Sequence, residues 1–148
     1  MTDATAPPPS LGTRLKRAEQ AMLRAKNAVL KPIGLTLAQY VALGELEREP
    51  GVTAATLSRA CQVSPQAMMI LLKGMEQQGL IVRTTHPRHP NVLEIHVTTV
   101  GRSALHEGRS FVQPVEQRVW DAFSPAELKL FDEMLGRLAQ AFDSGPTE

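Results

Sequence analysis

Apolar residues first recur at Leu15, Ala18, Met22, Ala25 and Val29. Steps of three and four place them on one stripe of a helix that ends before Pro32 and Gly34. Thr36 opens a second helix, because Gln39 three residues on completes a capping box and Tyr40, Leu43 and Leu46 follow as its stripe. Glu49-Pro50-Gly51 stops it. Thr53 starts a short third helix through Leu57 and Ala60, and only Cys61 to Val63 separate it from Ser64-Pro65, an N-cap followed by proline at the first helical position. In the helix that follows, Met68, Leu71, Leu72 and Met75 take the inner stripe and Gly79 caps the end. Gln66, Met69, Ile70 and Lys73 are left facing outward.

After Gly79 the period becomes two. Leu93, Ile95 and Val97 alternate with Glu94 and His96, and the β-branched run Ile81 to Thr85 pairs with them as a hairpin whose tip is His86 to Asn91 (HPRHPN). The two tip prolines lack backbone donors and fix φ, so the tip is expected to be stiff, unable to extend the ladder, and to hold Arg88 off the sheet. From Thr99 a long helical stretch carries Leu105, Val112, Val115, Val119 and Phe123, with Pro114 expected to kink it or shorten a turn. Ser124-Pro125-x-Glu127 is a second capping box. Leu128, Phe131, Leu135, Leu138 and Phe142 follow at the 3-4-3-4 spacing of a seam between helices. Residues 1–10 and 143–148 show no periodicity and are expected to be flexible.

A chain of 148 residues, 43% hydrophobic and 21% charged, fits one globular unit over residues 11–142 better than a rod or a disordered segment. No run approaches the roughly 18 apolar residues of a membrane span, and Met1 to Ser10 lacks the pattern of a signal peptide, so the expected location is the cytoplasm without a membrane partner. The single cysteine, Cys61, can form neither an internal disulfide nor a Cys-based zinc cluster, and at the end of the third helix it reads as a small buried apolar residue. His86 and His89 have ligand-like spacing, yet no Cys, Asp or Glu in the tip completes a set, so neither a metal nor another cofactor is expected. Without a nucleophile–base pair, a phosphate-cradling glycine loop or paired carboxylates, no catalytic residue is expected and an enzyme is excluded. The net charge of +1 conceals a polarity. Residues 11–35 carry six Lys/Arg against one Glu, residues 57–92 carry four (Arg59, Lys73, Arg83, Arg88) against Glu76, and residues 99–148 carry five against eight acidic residues. One face is therefore suited to a polyanion.

Helix, helix, helix-turn-helix, hairpin, long helix, final helix is the order of a mainly α (α+β) winged helix-turn-helix flanked by helices. Gly34-Leu-Thr-Leu-Ala-Gln-Tyr40, Pro50-Gly-Val-Thr53, Leu57 to Val63 before Ser64-Pro65, Glu76-x-x-Gly-Leu-Ile-Val-Arg83 and Val97-Thr-x-x-Gly101, in this order and spacing, resemble the MarR family of bacterial transcriptional regulators. The resemblance covers about residues 11–142. It implies a DNA-binding lobe at 36–98, dimerisation helices at 11–35 and 99–142, a recognition helix in the major groove and a wing at the adjacent minor groove. It also implies regulation by a small ligand in many members, with repression relieved on binding.

Carried onto this chain, the outward face of Ser64 to Gln78 is the place for base readout. Ser64 caps its helix and can donate to phosphate, and Gln66 suits a bidentate contact to adenine. Ala67, Met69 and Ile70 make the face unusually apolar. Such side chains either touch thymine methyl groups or pack beneath the wing. Lys73 suits a phosphate, and Arg88, flanked by His89 and Asn91, suits a narrow minor groove. The family's wing often has Asp-x-Arg, whereas the tip here has no acidic residue to orient the arginine. The expected partners are double-stranded DNA with an inverted-repeat operator, a second copy of the chain, and a small aromatic or carboxylate effector. The resemblance puts that effector near Asn27, Tyr40, His106 and Arg109. A different class of function also fits the apolar face: a winged-helix adaptor that docks another protein there and binds DNA only weakly.

Overall fold

The structure, a computed structural model, describes residues 10–143. The chain forms α1 (Leu11–Leu30), a 3-10 turn at Lys31–Ile33, α2 (Leu37–Arg48), α3 (Ala54–Ala60), α4 (Pro65–Gln77), β1 (Ile81–His86), β2 (His89–Val97), α5 (Thr99–Ala122) and α6 (Pro125–Asp143). The fold is mainly helical with one small antiparallel sheet, as the periodicity requires. The loose ends expected at 1–10 and 143–148 lie outside the described residues except at Ser10 and Asp143. Ser10 is the N-cap of α1, its side chain accepting from Thr13 N–H, and Asp143 ends α6.

Local chemistry sets the boundaries. Thr36 and Gln39 make the reciprocal capping box of α2, Thr53 caps α3, and Ser64 Oγ accepts the Ala67 N–H at 3.1 Å to cap α4. The end of α4 is a Schellman motif: Leu80 N–H bonds Met75 C=O, Gly79 N–H bonds Glu76 C=O, and Gly79 sits at φ 70°, a region glycine enters without a steric penalty. Between α3 and α4 the left-handed position falls on Gln62 (φ 54°), not on a glycine.

These caps aim the apolar stripes at one another. Leu30, Leu43, Leu46, Leu57, Met68, Leu72, Met75, Ile81, Ile95, Leu105 and Val112 form one buried cluster, with Cys61 among the residues packed against it. The segment ahead of α3 joins the sheet, Gly51 N–H bonding Ile95 C=O and Ile95 N–H bonding Val52 C=O, so β2 is flanked on both sides at its base. Thr98 hinges sheet to α5. Its N–H bonds Leu80 C=O, its hydroxyl donates to Gly79 C=O at 2.6 Å and accepts the Gly101 N–H at 3.0 Å. A Cβ on Gly101 would lie 2.1 Å from Leu80 O, which explains the Val97-Thr-x-x-Gly101 spacing as a close backbone approach.

Helix α5 runs unbroken through Pro114, so the proline does not shorten it. The chain nevertheless divides into two compact units, with the division between Val112 and Gln113, close to that proline. In the second unit, Ser124 and Glu127 form the expected capping box of α6 and the rings of Phe123 and Phe131 stack at 5.6 Å. None of the α6 residues is buried. Among the described residues no helix is long and apolar enough to cross a membrane.

Candidate nucleic-acid interface

Helix α4 is built to present a face. Burial of Met68, Leu72 and Met75 fixes its rotation, and Gln66, Ala67, Met69, Ile70 and Lys73 then stand on the exposed side with Ser64 at the end. Met69 is 48% exposed and Ile70 76%, so neither is packed beneath the wing. The first turn of α4 holds no acidic residue, which leaves the positive end of the helix dipole uncompensated beside Ser64. The one acid of this segment, Glu76, faces Arg83 of β1 at 3.3 Å, and Arg83 is drawn into the joint between α4 and the wing, its Nε buried without a partner. Arg59, Lys73 and Arg88 remain as cations free of ion pairs among the described residues.

The wing departs from expectation in an informative way. Its ladder does reach the tip: five pairs run from Ile81↔Val97 to Thr85↔Leu93, the register then slips, and His86 pairs with His89. Pro90, Asn91 and Val92 are the extra residues of β2, where a proline without N–H can sit because it is outside the ladder. Only Pro87 and Arg88 form the turn. Arg88 N–H donates to His86 Nδ1 at 3.0 Å. The His86 ring lies against His89 at a tilt of 33° with centroids 4.9 Å apart, and its Nε2 lies 3.5 Å from Glu94 Oε1. Glu94 in turn meets His96 Nε2 at 3.3 Å through its other oxygen. An acidic residue therefore does support the arginine turn, from across the sheet and through an imidazole. His86 and His96 bracket opposite oxygens of one carboxylate, and among the described residues no group of three His, Cys, Asp or Glu is arranged to hold a metal ion. Glu94 stands opposite Thr84, one same-face step from His86, and so meets the imidazole as a diagonal cross-strand neighbour. The signal available was His86 two positions before Arg88, the spacing at which a side chain reaches back to its own turn.

The four residues suggested for an effector are placed as follows. Asn27 Oδ1 accepts the Leu37 N–H at 3.1 Å and so ties α1 to the start of α2. Tyr40 lies against α5, where a Cβ on Gly108 would come within 2.9 Å of its ring. Arg109 is paired with Glu47, and His106 is exposed. A separate open cleft of about 320 Å³ is lined by Leu46, Glu47, Pro50, His96, Val97 and Arg102. Cys61 is half-buried, and desolvation together with the Glu45 carboxylate pushes its thiol up, away from the reactive thiolate.

A sequence profile of the MarR family matches residues 33–89. The HTH-type transcriptional repressor Rv2887 of Mycobacterium tuberculosis is 30% identical over 128 residues, covering 86% of this chain and 92% of that protein. The chain belongs to the MarR family. Among solved structures, the Mycobacterium tuberculosis MarR family protein Rv2887 in complex with p-aminosalicylic acid superposes with a TM-score of 0.69 at 30% identity, over 88% of this chain and 99% of that one. The transcriptional repressor CouR bound to a 23-mer DNA duplex gives a TM-score of 0.81 at 25% identity, over 88% of this chain and 92% of the other. Membership accounts for the geometry just described: an exposed α4 beside a cationic hairpin is the MarR helix-turn-helix with its wing.

Proposed function

We propose that this MarR-family chain is a cytoplasmic, homodimeric transcriptional repressor that reads an inverted-repeat operator with α4 and its wing and is released by a small aromatic acid. The observation that carries the reading is the α4 face, exposed, free of acid in its first turn, and accompanied by Arg59, Lys73 and Arg88, which have no ion partner among the described residues. Similarity to CouR, solved on DNA, supports it. The dimer rests on apolar surface that the single chain leaves open: Leu11, Leu15, Met22 and Leu23 on α1, and Leu130, Phe131, Met134, Leu135 and Phe142 on α6. A symmetric pair presents two α4 helices to successive major grooves about 34 Å apart, hence the inverted repeat. The aromatic-acid effector follows from the Rv2887 complex with p-aminosalicylic acid.

A gel-shift salt series on the protein's own upstream DNA tests the reading. Preference over random duplex that survives while affinity falls with salt supports it, and equal weak binding to every duplex favours the adaptor that docks a protein on Met69 and Ile70. Adding p-aminosalicylate to the shifted complex tests release. Arg102→Ala tests for an anchor in the 320 Å³ cleft, whose Glu47 is also the ion partner of Arg109.

A further inference from the structure

We infer that His86 is the positioning residue of the wing: its imidazole fixes the turn from which Arg88 reaches the minor groove. The inference rests on the repressor reading and adds the residue on which the wing's contact depends. The backbone N–H of Arg88, the second residue of the turn closed by the His86↔His89 pair, has no carbonyl opposite it in the ladder, and the acceptor it uses is His86 Nδ1 at 3.0 Å. An Nδ1 that accepts carries no proton, so the ring proton is on Nε2, the nitrogen 3.5 Å from Glu94 Oε1. The Glu94 carboxylate lies on the protonated side of the ring in this tautomer. Three further features support the arrangement: the tilted approach of the His89 ring to that of His86, the pairing of Glu94 with His96 Nε2, and Pro87, whose fixed φ sets the first turn position. Arg88 itself is exposed and makes no ion pair among the described residues. Its direction therefore depends on the backbone it leaves, a turn closed by the His86↔His89 pair and fixed at the Arg88 N–H by one side-chain acceptor. Such a device lowers the conformational entropy lost when a long cationic side chain enters a groove.

Binding of one operator duplex by the wild type, His86→Ala, His86→Asn, Arg88→Ala and the His86→Ala/Arg88→Ala double variant tests this, with ¹⁵N NMR of the imidazole in the free protein as a second readout. His86→Ala should weaken binding roughly three- to tenfold, the range of one hydrogen bond. His86→Asn, whose side-chain carbonyl can accept the same N–H, should stay within about twofold of wild type. In the Arg88→Ala background His86→Ala should add no further loss, because the histidine acts only through the arginine. Additive losses in the double variant, an unrescued His86→Asn, or a ring protonated on Nδ1 alone would each overturn the inference while leaving the repressor reading intact. A wild-type protein with no preference for its operator overturns both.

Discussion

Helix α4 buries Met68, Leu72 and Met75 completely, whereas α6, whose apolar residues recur with the same 3-4 spacing, buries none of its residues. Periodicity establishes that a stripe exists and which way it turns. It does not say whether the cover comes from the same chain. For α4 the cover is α2, α3 and the sheet, brought over it by the tight turn at Cys61 to Val63 and by the Schellman motif at Gly79. For α6 the stripe of Phe131, Leu135 and Phe142 stays open, and a second chain is the occupant that the proposed dimer supplies. Stability in one helix and assembly in the other are read from the same sequence pattern.

The sharpest way to break this contrast is the same truncation on both helices. Leu72→Ala should destabilise the fold by about 2–5 kcal/mol, because a fully buried leucine leaves both a transfer loss and a cavity. That loss should be the same at every protein concentration. Leu135→Ala should instead weaken association, lowering the melting temperature most where the wild type is dimeric and little where dilution has already separated the chains. Sedimentation and thermal melts over a concentration series check both. A Leu135→Ala chain that associates as tightly as wild type would show that α6 is not the covered face.

How much of the molecule could be read without coordinates divides along similar lines. Thr36 with Gln39, Ser64-Pro65 and Gly79 are local devices, set by residues within a few positions of one another, and each delimits its helix as expected. What escaped depends on contacts distant in sequence. Thr98 and Gly101 matter because Leu80 passes within a Cβ's reach, Gly51 and Val52 because Ile95 offers them a ladder edge, and Glu94 because its place opposite Thr84 sets it diagonally beside His86. Pro90 was read as ending the ladder, yet a bulge lets β2 resume beyond it. On α4 the sequence puts Met69 and Ile70 on the outer face but leaves two destinations for them, and only their exposure in the structure decides against the wing.

A smaller effect sharpens the contrast from the outer side of α4. Ile70, 76% exposed, contributes little to the fold, so Ile70→Ala should leave the melting temperature unchanged. On the proposed reading its methyl groups meet the C5-methyl of thymine, whose removal by replacing single thymines with deoxyuridine should cost about 0.8 kcal/mol, roughly a fourfold loss, at one position per half-site. In Ile70→Ala that sensitivity should vanish. If every thymine tolerates the exchange equally in both proteins, the apolar face does not read the major groove.

The smallest expected effect concerns the two helix starts. Ser64 and Ser124 both cap a helix that begins with proline, but only α6 has a carboxylate at the third position, Glu127, which accepts from the Ser124 backbone N–H at 2.8 Å and from its hydroxyl at 2.9 Å. These bonds favour the charged form and hold its pKa below the ordinary glutamate value of 4.5. A carboxylate whose folded pKa is depressed takes up its proton more readily when unfolded, so its contribution is complete above about pH 4.5 and is lost as pH falls through the folded value. Melts of wild type and Glu127→Gln should therefore differ slightly at pH 7, with the wild type the more stable, and converge on acidification. At α4 the third position is Ala67, so Ser64 caps without a carboxylate and that end keeps its positive dipole for a phosphate. Ala67→Glu would import the α6 arrangement, and it should weaken operator binding while leaving the helix start as stable or more so. Undiminished DNA affinity in Ala67→Glu would mean that no phosphate sits at this end of α4.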